Sequence, residues 1–433
     1  MRATTVGVRV ERGVLTVEID GNGPRCEVSS RCDYLLPFTT LAEAPYILEV
    51  FEFVSALYAA DRLVPRAARA WTRWLNVTFP VSRLGHWTIA RTLLEELIWS
   101  ATGDNVTLNF VQRAAGSVHR DRRHMRLVLD HQTWTSVVLL SEGLDSLCGA
   151  FRALDDSADR VAFVSLVTNS RKAARIQKIS NGIGSRYGER AVFHRVRDLH
   201  LVEPPEKQEP TQRTRGLLAI AAGLTVAAAY ESRAVSVSEN GTGILNLPIT
   251  TLQTRHESSQ VLHPQNLRLW SSISELLLSG AIVRYSNRFR TKAEMLADIP
   301  VDARDLIWTT SSCDAPQRSD KHNDCGVCGS CDYRRFSLRT AGIADRTQYT
   351  AVPPIRRAYD PAGLRRLQAQ QLSSALHSDD PWRALVRLQP TLRTAIEHRN
   401  PNERTGAIAS TIDLLRRHVA EVLSSEERLA HAI

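Results

Sequence analysis

The chain has 433 residues, 43% of them hydrophobic, and carries a formal charge of +9 and seven cysteines. That length and apolar content exclude a disordered tail or a small disulfide-stapled scaffold, and predict a soluble protein of more than one domain. The longest apolar run, Leu217 to Ala229, falls short of the ~20 residues a membrane span needs, and the opening MRATTVGVRVERG has no apolar stretch, so a cytoplasmic protein without membrane contact is expected.

Lysine occurs only at 172, 178, 207, 292 and 321; the other 50 basic residues are arginines scattered along the chain. No basic stripe marks a nucleic-acid surface, and nucleic acid ranks low among the expected partners. Val6 to Val10 and Leu15 to Ile19 alternate on either side of Glu11-Arg12-Gly13, which predicts an opening β-hairpin. Helical patterns over Leu41 to Leu63 and Trp87 to Ala101 are interleaved with β-like runs at Asn76 to Pro80, Val106 to Val111 and Met125 to Leu129. Residues 1–130 therefore read as an N-terminal α+β domain without a chemical motif.

From Ser136 the pattern changes to short apolar runs at Ser136 to Leu140, Val161 to Val167, Ala191 to Val196 and Ala234 to Val237, separated by helical stretches. Strands buried on both faces read this way, so residues 131–355 predict a parallel sheet with crossover helices, an α/β Rossmann-like domain. Ala-rich Arg215 to Tyr230 predicts a helix packed closely on that sheet. Beyond Pro354, Ile408, Ile412, Leu415, Val419 and Val422 make one apolar helical face, so residues 356–433 read as a helical C-terminal region whose face is either core or a docking surface.

The first of those strands runs into Ser141-Glu142-Gly143-Leu144-Asp145-Ser146, and a helix through Leu147, Ala150, Phe151 and Leu154 follows. Unpaired N–H groups at a helix start, with the Ser141 and Ser146 hydroxyls, suit a polyphosphate; an ordinary capped helix has the same pattern. Cys313, Cys325, Cys328 and Cys331 follow as C-x11-C-x2-C-x2-C. Four thiolates at this spacing suit a closed tetrahedral structural zinc site, with His322 as an alternative ligand. Cys26, Cys32 and Cys148 read as small buried residues.

Together the loop and the cysteines resemble the QueC-like (7-cyano-7-deazaguanine synthase) branch of the PP-loop ATP pyrophosphatases, whose loop reads S-G-G-x-D-S. The register after the last cysteine is similar as well, with Cys331, Arg334, Ala341, Gly342, Asp345 and Tyr349, and Leu338 where the family has Phe. Thr214-Arg215-Gly216, Glu239-Asn240-Gly241 and His263-Pro264 are further, less specific matches. Length and layout look closest to the QatC-type members of the Qat anti-phage systems.

The resemblance implies ATP and Mg2+ as cofactors beside Zn2+, and a ligase that adenylates a 7-deazaguanine carboxylate and forms an amide or nitrile. It implies nucleotide binding by Ser141, Glu142, Gly143, Leu144, Asp145, Ser146 and Arg215, with Asp145, Arg215 and Glu239 as catalytic residues. Glu142 stands where the family has glycine. If that position needs a positive φ, a Glu costs on the order of 1 kcal/mol, and its side chain is expected to turn outward. The added N-terminal and C-terminal regions are expected to bind a protein encoded alongside, or else to stabilise the fold or mediate dimerisation. Alternatives from other classes are a PP-loop tRNA-modifying enzyme and a catalytically silent nucleotide-binding scaffold.

Overall fold

The protein is seen in a computed structural model that describes residues 3–11, 14–21, 23–31, 44–66, 72–114, 134–167, 169–202, 204, 206–211, 213–247, 260–314, 324–350, 360–396 and 400–430. The opening alternation forms the expected hairpin of β1 (Thr4–Glu11) and β2 (Val14–Ile19), with Val8 opposite Val17. β3 (Arg25–Arg31) extends it antiparallel. That strand carries only Cys26 and Val28 as apolar residues, both buried, a pattern too thin to read from sequence. α1 (Ala44–Leu63) and α2 (Leu84–Thr102) occupy the predicted helical stretches, and β4 (Trp74–Val81) and β5 (Asn105–Gln112) add to β1 in parallel. Met125 to Leu129 lies outside the described residues.

The expected parallel block consists of β6 (Trp134–Leu139), β7 (Arg160–Val167), β8 (Ala191–Val202), β9 (Ala234–Val237) and the short edge strand β10 (Ile282–Tyr285), in the order β10-β9-β6-β7-β8. Successive residues point to opposite faces. Val137, Ala162 and Val164 join a core with α1, α2, α5 (Arg215–Ala229) and α7 (Pro264–Leu277). Val138, Val161 and Phe163 join another with α3 (Leu144–Asp155) and α4 (Ser170–Tyr187). The α/β, parallel-dominated class is as expected.

β3 pairs antiparallel with β8, Val28 opposite Leu201, so the N-terminal strands and the parallel block form one ten-stranded sheet. The boundary read near residue 130 lies outside the described residues, and the first core runs from Val6 to Val283 across it. In the C-terminal region α10 (Pro361–Leu376), α11 (Pro381–Leu388), α12 (Thr391–Ala395) and α13 (Pro401–Ala430) pack on Leu245 and Phe336. Leu415, Val419 and Val422 are buried there, with Ile408 and Ile412 packed against them, so the predicted apolar face is core. No helix among the described residues is long and apolar enough to cross a membrane.

The strand order matters most for the site. From β6 the chain steps outward to β7 and β8, then crosses back to set β9 on the other side of β6. A crevice opens outside the carboxyl ends of β6 and β9, where open α/β sheets bind ligands.

Candidate functional site

The loop from Ser141 to Ser146 lies at the end of β6, in that crevice. Ser141 is exposed; its Oγ accepts from the Gly143 N–H at 3.1 Å and shares a hydrogen bond with Ser146 Oγ at 2.8 Å. Gly143 is the N-cap of α3 with φ −77°, and no side chain caps the helix. Its first N–H groups are therefore left to an external acceptor, the condition for an anion at a helix start. Gly149 lets α3 press on the end of β9, since a Cβ there would lie 1.9 Å from Ser238 Oγ.

Asp145 does not face outward with the loop. It is buried: Oδ2 accepts from the Asn240 backbone N–H at 3.1 Å and from Asn240 Nδ2 at 2.7 Å, and Oδ1 pairs with Lys292 Nζ at 2.9 Å. Asn240 Nδ2 also donates to Glu239 Oε1 at 2.7 Å. Lys292, the first residue of α8 (Lys292–Ala297), lies 5.0 Å from the centre of the Tyr333 ring. Burial works against the Asp145 charge, but the Lys292 ammonium and hydrogen bonds from Glu239 and Asn240 outweigh it and hold the carboxyl below its usual range. Burial, then the neighbouring Asp145 charge, pushes Glu239 well above the usual carboxylate range. The cluster thus drives its two carboxyls apart, Asp145 toward the charged form beside Lys292 and Glu239 toward the neutral form.

Glu142 corrects an expectation. Among the described residues only Asp20, Glu231 and Asn246 take a positive φ outside glycine, so Glu142 carries no left-handed strain. Its side chain is not turned out to solvent either: it pairs with Lys172 Nζ at 3.3 Å with 19% of its surface exposed. Burial, then the positive charge of Arg215, lowers the Lys172 pKa, which sets both cations on this flank of the loop. Arg215 itself is exposed at the start of α5. The preceding Thr214 is held by the N-terminal region: its N–H and Oγ1 donate to Asp61 Oδ2 at 3.1 and 3.0 Å. Of the three residues expected to be catalytic, Asp145 and Glu239 come together on the cavity wall, and Arg215 stands near Lys172 outside the cavity lining.

A cavity of about 410 Å3 adjoins the cluster, walled by Asp145, Glu239, Asn240, Lys292 and Tyr333 on one side. Arg365 and Gln368 of α10 and His418 of α13 wall the other. Gly241 makes this closure feasible, since a Cβ there would meet Leu414 Cδ2 of α13 and Arg288 O, each at 2.5 Å.

The four cysteines lie beside the cavity, their sulfurs all within 4.8 Å of one another, and the cluster can hold a metal ion such as zinc. Cys325 N–H donates to Cys313 Sγ, Val327 N–H to Cys325 Sγ and Cys331 N–H to Cys328 Sγ, each at 3.4 Å. Such bonds stabilise thiolates, and a complete sulfur shell leaves no open position for water. Cys328 is also the N-cap of α9 (Gly329–Thr340), whose Gly329, Ser330, Asp332 and Tyr333 line the cavity, so the cluster anchors the cavity wall.

No protein-family profile, no curated protein and no solved structure matches this chain.

The remaining motif residues are structural. Arg334 is fully buried and donates to Thr347 Oγ1, Thr310 Oγ1, Ser312 Oγ and Ile307 O, bracing the chain before the cysteines. Leu338 is fully buried in the α3 core, and Tyr349 donates to Asp345 at 2.7 Å. His263 caps α7, accepting from the Gln265 N–H at 3.3 Å with Pro264 at the first helical position, and stays outside the cavity. Cys26 and Cys148 are buried, whereas Cys32 and His322 lie outside the described residues. Sequence reasoning missed Lys172, Lys292, Tyr333 and His418. The usable signal was lysine itself in a chain that otherwise uses arginine.

Proposed function

We propose that the chain is an ATP-dependent synthetase that adenylates a carboxylate of the 7-deazaguanine class and passes the acyl group to an amine. The observation that carries this reading is the convergence at one switch point of three features. They are the uncapped start of α3, the flanking cations Lys172 and Arg215, and the Asp145–Lys292–Glu239 cluster on a cavity wall.

In this reading the polyphosphate lies on the α3 N–H groups and the Ser141 and Ser146 hydroxyls. A carboxylate oxygen of the substrate attacks the α-phosphorus, the bond to the bridging oxygen breaks, and pyrophosphate leaves. Lys172 and Arg215 oppose the charge that grows on the leaving group. An amine nitrogen then attacks the acyl carbon, AMP departs, and the nitrogen gives up a proton. Asp145 and Glu239 would hold a magnesium ion if Lys292 parted from Asp145 and Glu239 released its proton, and such an ion would neutralise phosphate charge. A second activation of the amide would give the nitrile. The amine donor is ammonia or a protein encoded alongside within an anti-phage system.

The test is to incubate the protein with ATP, Mg2+ and 7-carboxy-7-deazaguanine and quantify AMP and pyrophosphate. Carboxylate-dependent formation of both supports the reading. ATP binding without either product would instead favour a silent nucleotide-binding scaffold, which the Glu142–Lys172 pair at the loop would suit.

A further inference from the structure

The C-terminal helices wall the cavity with side chains whose polar atoms are incompletely used. His418 of α13 is 3% exposed, lines the cavity, and has a buried Nδ1 without a hydrogen-bond partner. Tyr333 and Phe336 hold the ring edge-on, at 6.2 Å and 80° and at 6.5 Å and 88°. Arg365, in contact with Asp332 and 4.5 Å from the centre of the Phe336 ring, keeps its own Nε unpartnered.

An N–H at the sealed Nδ1 would be a buried donor with no acceptor, so the neutral ring carries its proton on Nε2, the other nitrogen. Burial and the Arg365 charge keep that ring neutral, with its pKa lowered to about 4. Of the charged residues that line the cavity, Asp145 pairs with Lys292 and Asp332 with Arg365, and Asp314 accepts from Ser330 Oγ at 2.8 Å. What His418 offers is therefore an uncharged donor, the partner for a neutral acceptor such as a ring carbonyl.

We infer that His418 is a specificity-determining residue, donating from Nε2 to the ring system of the carboxylate substrate, so that the C-terminal region forms half of the substrate pocket. The inference rests on the synthetase reading for its ligand. Removing one such hydrogen bond from a buried site weakens binding by about tenfold.

The test is calorimetric titration of 7-carboxy-7-deazaguanine into the full chain without ATP, and of ATP separately, on wild type, His418→Phe and His418→Gln. Phe keeps the ring volume and removes the donor, whereas Gln keeps a donor at similar reach. The expected result is a carboxylate Kd about tenfold weaker in His418→Phe, near wild type in His418→Gln, and an unchanged ATP Kd in both. Equal carboxylate affinity in His418→Phe, or an equal loss for ATP, overturns the inference. Should His418→Phe not fold, His418→Met against His418→Gln makes the same comparison. Binding lost with the donor in a protein that forms no AMP would sink the synthetase reading alone. AMP formed by all variants with equal kcat/KM for the carboxylate would sink the role of His418 alone, and a wild type that does not bind the carboxylate would sink both.

Discussion

Asp145, in the first turn of α3, and Lys292, the first residue of α8, meet at 2.9 Å across the cavity wall, with both side chains nearly sealed from solvent. The pair ties the loop at residues 141–146 to an element 147 residues further along the chain. Removing one member of a buried pair leaves the other charge uncompensated. Asp145→Ala is therefore expected to lose about 3 kcal/mol of stability as well as AMP formation. Asp145→Asn, which can still accept from Asn240, is expected to keep more of the stability but not the activity. Urea unfolding alongside an AMP assay separates the two, and an Asp145→Ala protein as stable as wild type would contradict the pairing.

Glu142→Gly is expected to release Lys172 toward the loop without backbone strain, since Glu142 already holds an ordinary φ. ATP affinity should rise by about threefold at low salt, the scale of a partly exposed ion pair, and the gain should shrink as salt is added. Titrations at two ionic strengths check this. A loss of ATP affinity would give the Glu142 carboxylate a role of its own on the nucleotide.

Cys328→Ser is expected to lower metal content, melting temperature and cavity integrity together, because the cluster anchors the start of α9. Elemental analysis of the freshly purified wild type should give one zinc per chain. Folded wild type without metal would contradict the assignment.

Acid should destabilise the fold through His418. Its folded pKa, about 4, lies below the ordinary value of 6.5, so the folded state resists a proton that the unfolded chain accepts. The stability it contributes is present above about pH 6.5 and lost as pH falls through about 4, amounting to about 3 kcal/mol. His418→Phe should lack this component, with Arg365, Tyr333 and Phe336 still facing the site. Unfolding curves at pH 7 and pH 4 for both proteins give the difference directly.

The parallel block was legible because strands buried on both faces leave unbroken apolar runs, as in Val161 to Val167. β3 was not, since Cys26 and Val28 alone face the core, and β10 has only four residues. The loop and the cysteines could be read from local spacing, whereas Glu239 came only with the family resemblance. His418 could not be read, because it reaches the site only through tertiary contacts; for Lys292 and Lys172 the rarity of lysine was a signal, but it did not say which distant carboxylates they pair with. Glu142 was misplaced for the same reason: its partner Lys172 lies across the sheet connection on α4.

The most direct measurement of the central claim follows oxygen. With the substrate carboxylate labelled in both oxygens with 18O, attack on the α-phosphorus and later departure of AMP must carry one labelled oxygen into the AMP phosphate. The account predicts AMP bearing a single 18O, one AMP for each amide formed or two for each nitrile. Unlabelled AMP, or ADP and inorganic phosphate in its place, would contradict adenylation of the carboxylate.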